Sequence, residues 1–242
     1  MPPLPAHLRV PWGIGSALVV YLLSWLGATF ALILILQALS PVLPFANQYL
    51  QAVDRGDIMA NFILTFFNAV VAVVLVALYL RHFKVSWSTL GWRSFNIWRT
   101  ALYLLGIFVT FIIASNLLLF LVALLVPGFD SNQAQTNDFT ASTVTNPKLT
   151  LIALVILPPI IEETVFRGFI FPAFAKKWGV IWGAIISSAL FGFAHLQANV
   201  GIYTFVLGML LCFLYVKLKS IVPGIFFHML NNYLAFVYLS GK

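Results

Sequence analysis

Residues 149–171 read LTLIALVILPPIIEETVFRGFIF. The run is long enough to cross a membrane, since one spanning helix takes roughly 20 apolar residues. Yet it holds a proline pair, two adjacent carboxylates and an arginine. Glu162 and Glu163 are the only glutamates in the chain. Either this is a polar helix of a soluble protein, or it is a span that carries charge for a reason.

Composition decides between the two. The 242 residues are 62% hydrophobic and 8% charged, and the mean hydropathy is +1.02. A soluble domain of this length needs far more charge to cover its surface. The chain therefore reads as an all-α, polytopic integral membrane protein with length for about six to eight spans. The net charge of +7 is no nucleic-acid footprint, because the basic residues stand singly or in pairs beside apolar runs. Cys212 is the one cysteine and lies within such a run. It allows no internal disulfide and reads as a packing residue.

Seven apolar runs can be drawn, at about 14–39, 59–81, 99–126, 149–174, 178–197, 199–216 and 221–239. The first is too long for a signal-peptide core and reads as a retained span. Pro158 and Pro159 each lack a backbone donor, so a break is expected in the fourth run. The polar loop at 127–148 reads as solvent-exposed. It divides three N-terminal spans (1–148) from four spans that hold the chemistry (149–242).

Charge sets the orientation. Arg9, Arg81, Lys84, Arg93, Arg99, Lys176, Lys177, Lys217 and Lys219 fall on one side if the N-terminus is inside. Arg55, Lys148 and Lys242 fall on the other, with Asp54, Asp57, Asp130 and Asp138. This bias predicts a cytoplasmic N-terminus in a cytoplasmic or equivalent inner membrane. The charges left over are Glu162, Glu163 and Arg167, and ionisable residues inside a membrane are expensive enough to mark function by default.

Glu163 and Arg167 are four residues apart and share a helical face, so they can pair. That pair alone could be a structural lock between helices. Glu162 points about 100° away, lacks the partner, and is expected to have the raised proton affinity of a base. His7 and His82 read as surface residues. His195 and His228 lie in apolar runs, with Asn199 and Asn232 each four residues on and therefore on the same faces. Together they predict a shared polar site.

This set suits hydrolysis. A carboxylate takes a proton from water, an imidazole orients that water, and a second imidazole with an amide stabilises the oxyanion. Alternatively Glu162, His195 and His228 hold a zinc ion that acidifies the water. Other intramembrane hydrolases are excluded by absence. There is no His-Glu-x-x-His motif, and all four aspartates lie in loops. Ser187 and Ser188 lack a Gly-x-Ser-x-Gly turn and read as small packing residues. A proton-coupled transporter is the alternative, disfavoured by the lack of a repeated half. A non-catalytic scaffold or immunity protein is another.

Glu162-Glu163-x-x-x-Arg167, Phe191-x-x-x-His195 and His228-x-x-x-Asn232, in that order, resemble the three-motif signature of the CPBP family, the CAAX-protease and bacteriocin-processing (Abi) intramembrane proteases. Asn199 falls where the CAAX branch often has an asparagine. The resemblance covers about residues 149–239. With the seven runs, it implies a polytopic helical fold of about seven to eight transmembrane helices around a central polar cavity, open to the cytosol and partly to lipid. It implies that Glu162 activates water with His195, and that His228 and Asn232 stabilise the oxyanion. Glu163 and Arg167 are then supporting residues. The family is commonly labelled metalloprotease, and direct glutamate activation of water is also proposed for it. The implied partners are membrane lipid and a peptide or protein substrate, apolar or prenylated, with a C-terminal CAAX-like segment. One geometric demand follows. At about 1.5 Å per residue from the cytoplasmic flanks, His228 lies roughly 13 Å deep and His195 roughly 26 Å, so tilt, a break or unequal helix starts must bring them together.

Overall fold

The computed structural model of the protein describes residues 3–55, 57–130, 147–195 and 197–240. Among these residues it is helical, with no strand. Most of the polar loop expected at 127–148 lies outside the described residues, as do Asp138 and Lys242.

All seven apolar runs are helices. They are α1 (14–39), α3 (Ile58–His82), α4 (Ile97–Leu125), α5 (147–178), α6 (180–193), α7 (Ala198–Leu218) and α8 (Val222–Ser240). One more, α2 (Pro44–Asp54), has no counterpart in the hydropathy pattern. Pro44 sits in its first turn, where a missing N–H costs nothing, and the Tyr49 hydroxyl donates to Ala60 O on α3 at 2.8 Å. Local signals set the starts of the long outer helices. Asp57 accepts from Ala60 N and Asn96 from Arg99 N, both at 2.9 Å, side-chain caps worth about 1 kcal/mol each.

Among the described residues, four helical runs are long and apolar enough to cross a membrane: Met59–His82, Ile97–Leu125, Lys148–Phe193 and Ala198–Leu218. The protein is an integral membrane protein. In α3 and α4 only 22% and 17% of the most apolar window is buried, against 50% in the last two runs. The outer pair therefore offers its apolar side chains to lipid, while α5, α6 and α7 make the core.

The 46-residue run Lys148–Phe193 is a hairpin. Gly179 has φ 83° and ψ 169°, a conformation open to glycine and strained for other residues. Beyond it the chain folds back, so that a Cβ on Gly183 would stand 2.6 Å from Ala175 N. In one continuous helix those residues would be about 12 Å apart. The Lys176 ammonium locks the turn to the N-terminal segment, donating to Val10 O at 3.1 Å and reaching Pro11 O and Trp12 O at 3.4 and 3.5 Å.

The break expected at Pro158-Pro159 is absent. α5 runs through the prolines, with wide π-helical turns at Leu151–Ile156 and Glu163–Ile170. Side chains from neighbouring segments donate to backbone carbonyls along this stretch. Trp12 Nε1 donates to Phe169 O at 2.9 Å and Ser187 Oγ to Phe166 O at 3.3 Å. The tie most relevant to function involves Asn232.

Candidate active site

Pro158 and Pro159 are the residues whose N–H groups would bond to Leu154 O, by i→i−4 or i→i−5 pairing. Neither has one. The Asn232 amide supplies the missing donor, with Nδ2 at 2.9 Å from Leu154 O. Asn232 thus straps α8 to α5 about two turns before the glutamates. Its Oδ1 faces Asn231 Nδ2 at 3.4 Å.

Beyond the strap, α5 delivers Glu162 and Glu163 at the junction of a regular and a π-helical segment. Glu163 and Arg167 are each 1% exposed and pair as expected, Arg167 Nη1 donating to Glu163 Oε1 at 2.8 Å. The guanidinium also stands 4.5 Å over the Phe191 ring. His228, 2% exposed, places Nδ1 at 3.1 Å from the same Oε1. A carboxylate oxygen accepts, so Nδ1 donates to Glu163, and the other ring nitrogen, Nε2, faces Glu162. That Nε2 is 3.6 Å from Glu162 Oε2.

This corrects the expectation that Glu162 has no partner. One imidazole bridges the two carboxylates, and the Glu163–Arg167 pair orients it much as the buried acid orients histidine in a hydrolase triad.

His195 approaches from the other side of Phe191. Its Nδ1 lies 2.9 Å from Phe191 O, one turn back on α6, and acts there as a donor that caps the helix end. That leaves Nε2 as the ring nitrogen of His195 available to other partners. The Phe191 ring makes edge contacts with both histidines, at centroid distances of 5.1 Å to His195 and 5.6 Å to His228. Contacts through α7 narrow the difference in depth between the two histidines. Close contacts pair Gly192 with Gly201, Ser188 with Gly208, and Leu211 with Gly224, which sets His228 about level with Ser188. From there Phe191 is under one turn away, and His195 leans back towards it as helical side chains do.

Asn199 lies beyond the end of α6, on the first turn of α7, so it does not share a helical face with His195 as the four-residue spacing suggested. It is buried, and its Oδ1 accepts from Val200 N at 2.8 Å. The zinc set fares similarly. Among the described residues no three His, Cys, Asp or Glu side chains gather as metal ligands, so Glu162, His195 and His228 as placed do not fit a zinc site.

Sequence reading missed the parts played by Ser187, which bonds the π-helical backbone, and Phe191, the shared wall. A phenylalanine four residues before a histidine was visible; that it would touch two histidines and an arginine was not.

Residues 144–234 match the family described as Type II CAAX prenyl endopeptidase Rce1-like. The resemblance to CAAX proteases read from the three motifs holds. Two curated proteins are also similar. "Putative membrane peptidase YdiL" of Bacillus subtilis (strain 168) is 34% identical over 84 residues, which cover 35% of this chain and 34% of that protein. An "Uncharacterized 24.3 kDa protein" of Escherichia coli is 39% identical over 64 residues, 26% of this chain and 30% of that protein. The chain thus spans about a third of the length of the curated relatives it matches. No solved structure matches the chain significantly.

Proposed function

We propose that this protein is an intramembrane endopeptidase that hydrolyses a peptide bond with water activated by Glu162. The observation that carries the proposal is the His228 bridge, 3.1 Å from Glu163 and 3.6 Å from Glu162. The Rce1-like match over residues 144–234 supports the reaction class.

Glu162 is the base. Its side chain is 11% exposed, so it keeps a route to water while its charge is poorly solvated. A water molecule gives a proton to Glu162 and its oxygen attacks the scissile carbonyl carbon. His228 Nε2, beside Glu162 Oε2, shares that proton. The proton then passes to the leaving nitrogen as the C–N bond breaks, giving a carboxylic acid and an amine. Nε2 of His195 accepts from the same water and aims it. Asn232 has one amide N–H beyond the bond to Leu154 O, and this donates to the oxyanion. The division of labour differs from the one the family resemblance implies: here His228 works with Glu162, and its proton faces Glu163 instead of the substrate.

The substrate is an apolar or lipidated peptide with a C-terminal CAAX-like segment. An apolar groove of about 660 Å³ between α4, α6 and α7, lined by Leu118, Val122, Phe193, Ile202 and Phe205, opens beside the His195 loop at Gln197. It suits a hydrophobic chain arriving from the bilayer. The catalytic unit is residues 149–242, packed against N-terminal spans, with the N-terminus cytoplasmic as the charge bias requires.

The test is cleavage of a fluorogenic prenylated or apolar peptide series by purified protein. Activity is lost in Glu162→Ala and His195→Ala and kept in Lys84→Ala. Cleavage by Glu162→Ala at the wild-type rate, or no cleavage of any peptide by the wild type, overturns the reading.

A further inference from the structure

Behind the His228 bridge lies a second cluster that the reaction does not use. Glu163 Oε2, Arg167 Nε, Arg167 Nη2 and Ser188 Oγ are each buried without a protein hydrogen-bond partner. The residues that carry them are 1%, 1% and 0% exposed. Two glycines let the helices close around them. A Cβ on Gly208 would stand 2.9 Å from Ser188 Oγ and 3.0 Å from Arg167 Nη2, so those two atoms are within about 6 Å of each other. A Cβ on Gly224 would stand 3.6 Å from Glu163 Oε2. Cys212, one turn along α7 from Gly208 and buried, closes the cluster with its sulfur within reach of Ser188 and Arg167; sulfur is a weak hydrogen-bond partner, and this contact leaves Glu163 Oε2 unbonded.

Two unbonded guanidinium donors, a carboxylate oxygen and a hydroxyl are costly to leave bare in an apolar interior. Donors and acceptors are both present and the charges cancel, which suits water and not an ion. A water molecule bridges groups of this kind when it finds two to four polar partners. Direct pairing of Ser188 with Arg167 would leave Glu163 Oε2 still unbonded.

We propose that Glu163, Arg167 and Ser188 hold one or two structural water molecules in a sealed pocket behind the active site, and that this hydrated cluster positions His228. Glu163 Oε1 already serves Arg167 and His228. Water on Oε2 fixes the rotation of the carboxylate, and so the direction in which Oε1 meets His228 Nδ1. Ser188 is thereby a positioning residue acting through water and Arg167. The pocket follows from the buried atoms alone; its effect on turnover rests on the peptidase reading.

Two measurements test these separately. In an experimental structure at a resolution that shows ordered water, one or two solvent peaks are expected within hydrogen-bond distance of at least two of the four atoms. Finding those atoms bonded directly to protein, with no solvent peak among them, overturns the pocket whatever the enzyme does. In the peptide assay, Ser188→Ala is expected to lower kcat roughly five- to tenfold with KM unchanged, by loss of one bridging hydrogen bond. Gly208→Ala, which fills the pocket from the other side, moves the same constant in the same direction. An unchanged kcat in folded Ser188→Ala protein overturns the positioning role, while absence of peptide cleavage by the wild type counts against the peptidase reading and leaves the solvent peaks to decide the pocket.

Discussion

His228 Nδ1 and Arg167 Nη1 meet on a single oxygen, Oε1 of Glu163, at 3.1 and 2.8 Å. Removing either glutamate should therefore have opposite signatures. Glu162→Gln leaves the buried pair intact, so the protein melts like wild type in detergent while peptide cleavage falls by about 10²–10⁴. Glu163→Gln leaves the Arg167 charge uncompensated and destabilises by roughly 3–5 kcal/mol. Melting curves and rates on both variants check this; equal melting temperatures would contradict it.

Asn232 answers the missing donors of Pro158 and Pro159 through Leu154 O. Asn232→Ala is expected to cost about 1–3 kcal/mol by leaving that carbonyl bare. In a Pro158→Ala background the helix regains an N–H for Leu154 O, so the same substitution costs less. A double-mutant cycle of unfolding free energies measures the coupling, and strict additivity would refute the strap.

The α5–α6 hairpin turns on Gly179, whose φ of 83° penalises any side chain. Gly179→Ala is expected to destabilise by about 1–3 kcal/mol, and Gly183→Leu by more, since its side chain would enter the backbone at Ala175. Thermal unfolding of each variant is the check.

His7, in the Ala6–Leu8 turn before α1, is buried against Tyr215. Burial first, then the charges of Arg93 and Lys219, push its pKa down to about 4 from 6.5. A depressed pKa means that the folded state favours the neutral ring. Its contribution to stability is present above about pH 6.5 and is lost as pH falls through 4. The wild type should lose melting temperature over that interval more steeply than His7→Gln does; parallel curves would show that His7 is not the group responsible.

Much of the architecture was legible because lipid imposes it. Seven apolar runs became seven apolar helices, since nothing else buries their backbone polar groups. The Glu163–Arg167 pair was legible from spacing alone. What lies between helices was not. Helical periodicity tells which residues share a face, but not which residue of α8 stands opposite which residue of α5, and so the His228 bridge to Glu162 was missed. Pro158-Pro159 read as a break because the donor that repairs it sits on Asn232, far along the chain. α2 was missed because a short helix with a polar face leaves no hydropathy signal.

The central claim is that Glu162 takes a proton from the water that cuts the peptide. Purified protein acting in H₂¹⁸O on a peptide with an apolar C-terminal segment should leave a single ¹⁸O in the new carboxyl group, read by mass spectrometry. The same incubation with Glu162→Ala should leave the peptide whole. Labelled product from Glu162→Ala at the wild-type rate would contradict the account.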